Sequence, residues 1–259
     1  MTKKEFISQL RNEVSNFASF VSTSDGQWVV KGFIDVYKNI YTISADTKVI
    51  SKIIELYIFP LLFKFAHDNS LQLKLTKEQN FYPDITFIDN DGHKFAVDLK
   101  SSYRTSSTRI RGMTLGAFTG YFRNRESTKN ITYPYSSYQA HVVLGMIYSE
   151  NRQTSDECKS YYIDELDDIV SVAKDITFFV QEKWKIATDR PGSGNTKNIG
   201  SVSLIEDLID GAGPFSKLGE EVFDDYWMNY LTPDMAKKAE LAQPYYSNLE
   251  SYKKFRNLL

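Results

Sequence analysis

A single cysteine, Cys158, stands in 259 residues, so an internal disulfide is impossible and a thiolate-rich structural zinc site is excluded. Histidine is nearly as scarce: His67, His93 and His141 are scattered, without the spacing of a metal-ligand set. No run reaches the ~18 consecutive apolar residues of a membrane helix. The basic start Met1-Thr-Lys-Lys-Glu-Phe is not followed by the apolar segment of a secretory leader. Internal repeats, low-complexity segments and linker-like Pro/Gly/Ser stretches are also missing. These absences point to a cytoplasmic protein with one domain over residues 1–259, long enough to bury a substantial core.

Positive charge is not in excess either. The formal net charge is −2, which by itself does not mark a nucleic-acid binder. Its distribution is uneven. From Lys100 to Lys129 the chain carries Lys100, Arg104, Arg109, Arg111, Arg123, Arg125 and Lys129 against Glu126 alone, whereas acids gather later, at Asp164-Glu165, Asp167-Asp168 and Glu220-Glu221. The run is either a basic face for a polyanion or an ordinary solvated surface.

What is present is strong patterning. After Ser44-Ala-Asp46-Thr47, a set of capping residues, apolar residues from Val49 to Phe65 recur at helical spacing. Pro60 is expected to kink or split that helix. Two extended runs follow, 82–88 and 94–102, separated by the turn-forming Asp89-Asn90-Asp91-Gly92. Segments 131–135, 141–148 and 176–180 have strand composition, glycine-rich loops begin at Gly192 and Gly211, and helix is expected beyond about 220. Strands in the middle with helices on either side predict a mixed α/β layer fold.

The hairpin carries the first chemical signal. Alternation sends Phe95, Val97 and Leu99 to one face and Ala96, Asp98 and Lys100 to the other. A three-residue turn at 90–92 pairs Asp89 with His93 and sets Asp84 opposite Asp98. Two carboxylates so placed repel unless a cation or a proton lies between them, and hard oxygen donors suit Mg²⁺ or Mn²⁺. Lys100 projects beside the same point. A bulged turn would shift this register by one. Glu55, within Ile53-Ile-Glu55-Leu-Tyr-Ile-Phe-Pro60, is a carboxylate among apolar neighbours, needing either a partner such as a metal or a helix rotation that leaves it wet.

Pro83-Asp84 followed by Asp98-x-Lys100 is the pattern of the PD-(D/E)xK nucleases. Longer strings narrow it: Asp46-Thr-Lys-Val, Ile54-Glu55-Leu, Gln79-Asn80-Phe-Tyr-Pro83-Asp84, Val97-Asp98-Leu-Lys100, Thr114-Leu-Gly116, Thr128-Lys129-Asn130-Ile131, Gln181-Glu-Lys-Trp184-Lys-Ile-Ala187 and Gly192-Ser-Gly-Asn195-Thr196-Lys197-Asn198-Ile-Gly200-Ser201. In this order and spacing, across roughly 40 to 230, the chain resembles the EcoRV-like type II restriction endonucleases. It departs in a longer N-terminus, extra residues within 123–129, patchy agreement after Gly211, and a lysine at 197 where that family has threonine.

The resemblance implies a restriction-endonuclease-like fold, a mixed sheet flanked by helices, working as a homodimer with a DNA-binding cleft and with dimerisation and DNA-binding subdomains. It implies Mg²⁺ as cofactor, with Mn²⁺ as a substitute, held by Asp84, Asp98 and Glu55, and a catalytic set completed by Lys100. It implies that Gly192, Ser193, Gly194, Asn195, Thr196, Lys197 and Asn198 read bases in the major groove, where asparagine pairs with adenine and threonine meets a thymine methyl. Gln79 and Asn80 would approach the minor groove, and Thr47, Lys48, Ser102 and Lys129 the phosphate backbone. The implied activity is blunt, double-strand cleavage at GATATC leaving 5′-phosphates, with a DNA methyltransferase on the same site as a possible partner. Two other readings stay open at this level: a structure-specific repair or junction nuclease of the superfamily, and an inert DNA-binding protein on the same scaffold.

Overall fold

The near-continuous apolar run His141 to Tyr148 becomes part of an interior strand of a five-stranded sheet covered on both faces. The computed structural model describes residues 1–78, 80–151, 159–192 and 197–258. Helices α1 (Lys3–Val14) and α2 (Phe17–Val21) precede a hairpin of β1 (Gly32–Ile34) and β2 (Asn39–Thr42) and the long helix α3 (Thr47–Asp68). Strands β3 (Gln72–Leu75), β4 (Ile85–Ile88), β5 (Lys94–Tyr103), β6 (Thr114–Ala117), β7 (Tyr138–Glu150), β8 (Ser160–Tyr162) and β9 (Ala173–Glu182) follow. The single turn α4 (Lys183–Ile186) leads into β10 (Ala187–Pro191) and β11 (Asn198–Ser201), then α5 (Ile205–Asp210), α6 (Glu220–Asn229), α7 (Pro233–Lys238) and α8 (Leu249–Phe255).

The main sheet has the order β3-β4-β5-β7-β9, with β5 and β7 parallel and the other neighbours antiparallel. It is the expected mixed sheet flanked by helices. Alternation divides its side chains between two cores. Phe95 and Val97 of β5 with Val142, Leu144 and Met146 of β7 face α1, α2 and α3. Ala96, Val143 and Ile147 face the other core, with the aromatics of the C-terminal helices. Burial on both faces explains why β7 reads as a run rather than an alternation. Gly145 is required there, since a Cβ would stand 2.1 Å from the ring of Phe179, its partner on β9.

On the first face, Phe6 of α1 stacks on Phe95 with centroids 4.3 Å apart and also meets Phe65 and Phe87. On the second, Tyr226, Trp227, Tyr230, Tyr246 and Tyr252 pack ring against ring. Trp28 and Trp227 are fully buried core residues, and Trp184 packs partly buried against the second core.

Two expectations are narrowed and one is corrected. Pro60 does not split α3, which runs unbroken through it with Asp46 capping Lys48 and Val49. The carbonyl left without a donor belongs to Leu56, an exposed residue whose carbonyl water can satisfy. Segment 131–135 forms no strand: Ile131 makes one isolated bridge to Tyr82, and a 3-10 turn begins at Tyr135. Pro134 supplies no N–H for a ladder. Beyond 220 the helix is divided into α6, α7 and α8, with Pro233 at the start of α7 and Thr232 capping it through Met235 N–H.

Two smaller sheets extend from this body, β10-β11-β6 and β1-β2-β8. Among the described residues, no helix is long and apolar enough to cross a membrane.

Candidate functional site

The β4–β5 hairpin adopts the expected register. Asp89 N–H donates to His93 O at 3.1 Å, and the pairs run from Ile88↔Lys94 to Ile85↔Val97, leaving Asp84 across from Asp98 at the open end. Asp84 Oδ2 accepts the backbone N–H of Leu99 at 2.7 Å. Lys100 Nζ lies 2.6 Å from Asp98 Oδ2 and 4.0 Å from Asp84 Oδ2, and donates to Leu99 O at 3.1 Å. Asp98 shares the Ala96 side of β5 and is buried, whereas Asp84 is partly open.

Partial burial, and then the negative charge of Asp98, push the Asp84 carboxyl up to about 7. Burial works against the Lys100 ammonium, but Asp98 and Asp84 outweigh it and hold its pKa above the ordinary value. Two crowded carboxylates share one ammonium, and the remaining negative charge invites a second cation. Their oxygens fit a hard divalent ion such as Mg²⁺, Mn²⁺ or Ca²⁺.

These groups open onto a cleft of about 340 Å³ lined by Asn80, Tyr82, Asp84, Asp98, Lys100, Thr114, Gly116, Tyr121, Asn130 and Asn198. Its wall is β6, which pairs with β11 through Asn198↔Ala117 and Gly200↔Thr114. The β10–β11 hairpin is therefore bonded to the same wall. Gly200 permits the close approach of β10 to β11: a Cβ would stand 2.8 Å from Thr188 Cγ2 and 2.9 Å from Gly192 Cα. At the base of the loop, Gly192 N–H donates to Asn198 O at 2.9 Å.

Of the expected DNA-contacting residues, Asn80 and Asn198 line the cleft. Gly192, Lys197, Thr47, Lys48 and Lys129 are exposed. Gln79, Ser193, Gly194, Asn195 and Thr196 lie outside the described residues, as does Cys158. Ser102 differs from its expectation: it is buried, and its hydroxyl already donates to Arg111 O.

Glu55 is not gathered with the acid pair. It pairs with Lys52 at 2.7 Å and keeps a quarter of its surface in solvent, so burial does not force it to take a metal. Glu55 and Lys100 line a separate cavity of about 60 Å³ with Ser51, Leu99 and Ser101. Lys100 thus borders both spaces. The basic run divides as well. Arg104 bonds to Asp175 O and Thr177, Arg123 to Phe118 O and Tyr230 O, and Arg125 pairs with Asp224, while Arg109, Arg111 and Lys129 stay exposed.

Asp89, Asp91 and His93 bring ligand atoms within 4.8 Å of one another, a spacing that fits metal binding. The oxygens of Asp89, however, already accept the N–H groups of Asp91 and His93, His93 Nδ1 and the Met1 amine. This is a clasp at the hairpin turn, about 16 Å from Asp84 at strand rise. Two residues of the region have no role in the sequence reading, Tyr121 in the cleft lining and Lys183 behind it. Lys183 stands in the Gln181–Ala187 string that matches the family, where its side chain carries no signal of burial.

Residues 24–257 match the family model described as Restriction endonuclease EcoRV. The chain belongs to the EcoRV restriction endonuclease family. The match is wider than the stretch from 40 to 230 legible from the motifs. The type II restriction enzyme EcoRV of Escherichia coli is 37% identical over 227 residues, which cover 86% of this chain and 89% of that one. As an EcoRV-like type II restriction endonuclease, the chain is a site-specific deoxyribonuclease. The solved NlaIV restriction endonuclease is similar over 99% of this chain and 90% of that one, at 12% identity and a TM-score of 0.38, too slight a likeness to bear on the fold.

Proposed function

We propose that this enzyme cuts both strands of GATATC at its centre, leaving blunt ends with 5′-phosphates, as a Mg²⁺-dependent homodimer. The observation that carries this reading is the meeting of Asp84, Asp98 and Lys100 in one open cleft, on a wall bonded to β11, whose first residue Asn198 lines the same cleft. Asp84 and Asp98 would hold the cation, and Glu55 would add negative charge from the neighbouring cavity. When bound, Mg²⁺ supplies acidification of water and neutralisation of charge on the phosphate. Lys100, released from Asp98, would turn its ammonium to the scissile phosphate and stabilise charge developing there.

Asn195 and Thr196 would read bases from the major groove, with Gln79 and Asn80 on the minor-groove side. Thr47, Lys48 and Lys129 would set register through phosphates, and Lys197 would add a backbone contact beside the reading core. A palindrome presents two equivalent half-sites, which a two-fold dimer matches with one cleft per strand. The β1-β2-β8 sheet supports this: Phe33 and Tyr41 are paired and exposed on one face, and Val36 and Tyr37 are exposed at the turn beside them, apolar surface that a second copy would cover. A methyltransferase modifying the same site would protect the host DNA.

Digestion of a plasmid of known sequence, with Mg²⁺, Ca²⁺ or EDTA and sequencing of the ends, tests the reading. Mg²⁺-dependent blunt ends within GATATC are expected. Discrete ends at another sequence would overturn the base assignment, and cleavage in EDTA would overturn the cofactor.

A further inference from the structure

Lys183 is 2% exposed, and its Nζ has no hydrogen-bond partner among the described residues. An ammonium out of water without a partner is among the costliest groups a fold can keep. Compensation comes first from rings: Nζ lies 5.2 Å from the ring centroids of Tyr82 and Phe122 and 5.7 Å from that of Tyr135. Position is the second observation. Gly116 lines the cleft, and a Cβ there would come 3.5 Å from Lys183 Nζ and 3.4 Å from the Tyr121 hydroxyl. The ammonium therefore sits directly behind the cleft wall, with only a glycine between.

Tyr82 joins the lysine to the acids. It stands two residues before Asp84, its ring stacks on Tyr121 at 5.3 Å, and its hydroxyl bonds to His141 Nδ1 at 2.9 Å. Burial lowers the Lys183 pKa to about 8, and Asp98 is the strongest influence opposing that fall, ahead of Asp224.

We propose that Lys183 is a positioning residue of the nuclease centre: held by the Tyr82, Phe122 and Tyr135 rings, its charge fixes the segment carrying Asp84 and balances Asp98 when Lys100 turns to the DNA. The inference rests on the reading of Asp84 and Asp98 as the cation-binding pair. A merely space-filling lysine would act through packing alone, and neutral or cationic replacements separate the two roles.

Lys183→Met, Lys183→Arg and Asp84→Ala are compared in the full chain. Lys183→Met is expected to keep the wild-type circular dichroism, a thermal midpoint no lower than wild type and DNA affinity in Ca²⁺ within twofold, while single-turnover cleavage in Mg²⁺ slows at least tenfold. Lys183→Arg restores the rate to within threefold. In wild-type protein with ¹⁵N-labelled lysine, the ammonium resonance missing from Lys183→Arg moves when Ca²⁺ is added, a readout that needs neither activity nor the Met variant. Wild-type rate in Lys183→Met, equal slowing in both Lys183 variants, or a resonance indifferent to Ca²⁺ would overturn the proposal. An active Asp84→Ala would instead overturn the acid-pair reading beneath it.

Discussion

The Asp84 carboxylate accepts the Leu99 backbone N–H at 2.7 Å, so the acid beyond β4 is tied to β5 between Asp98 and Lys100. The hairpin itself therefore sets the spacing of the acid pair. Asp84→Asn keeps an oxygen that can accept this bond but removes the charge. The variant should melt within a few degrees of wild type and lose cleavage by about 10²-fold or more, the scale of losing one electrostatic group at a reacting centre. Single-turnover kinetics with thermal unfolding checks both.

Asp84 also links stability to pH and to metal. Its folded pKa is raised to about 7, above the ordinary carboxyl value, so its contribution is complete below about pH 4 and lost as pH rises to 7. In EDTA the thermal midpoint should fall over that window relative to Asp84→Asn. Millimolar Ca²⁺ should reverse the fall above pH 7, where the ionised pair binds it.

His141 gives the opposite slope. It is buried, with its ring 3.6 Å from that of Tyr135 and Tyr82 on its Nδ1, and burial first, then the charges of Lys183 and Arg125, hold its pKa well below the ordinary value. The unfolded chain takes a proton that the folded one refuses, so stability is present above about pH 6.5 and falls below it. Denaturant titrations should show His141→Gln losing up to about 1.4 kcal/mol per pH unit less than wild type between pH 6.5 and 5.

The exposed apolar set on β1-β2-β8 yields a test of assembly. Phe33→Glu with Val36→Glu adds two charges to the exposed apolar surface that a second copy would cover, at side chains that belong to none of the cores. Light scattering should give a dimer for wild type and a monomer for the double variant, with double-strand cuts replaced by slow nicks. A monomeric wild type that cuts both strands would remove the dimer from the account.

Much of the hairpin was legible because its signals are local. The Asp89–Gly92 turn and the Phe95–Lys100 alternation fix both the register and the face that carries Asp98. The strand order was not, because the parallel pairing of β5 with β7 spans a crossover that no local pattern encodes. Glu55 was legible only as a choice for a related reason: its apolar sequence neighbours fit either a buried partner or a wet face, and the partial exposure that it keeps beside Lys52, three residues back, depends on how the helix is rotated. The burial of Lys183, inside a string that the family resemblance already includes, was not legible, because the rings of Tyr82, Phe122 and Tyr135 that enclose it are distant in sequence.

The central claim, that the catalytic cation belongs to Asp84 and Asp98 and not to the turn cluster of Asp89, Asp91 and His93, is tested most directly by Mn²⁺ binding followed by electron paramagnetic resonance. Wild type, Asp98→Asn and Asp91→Asn with His93→Gln would be titrated side by side. Asp98→Asn is expected to lose the tight site while the turn variant binds as wild type does. Retained binding in Asp98→Asn, with loss in the turn variant, would contradict it.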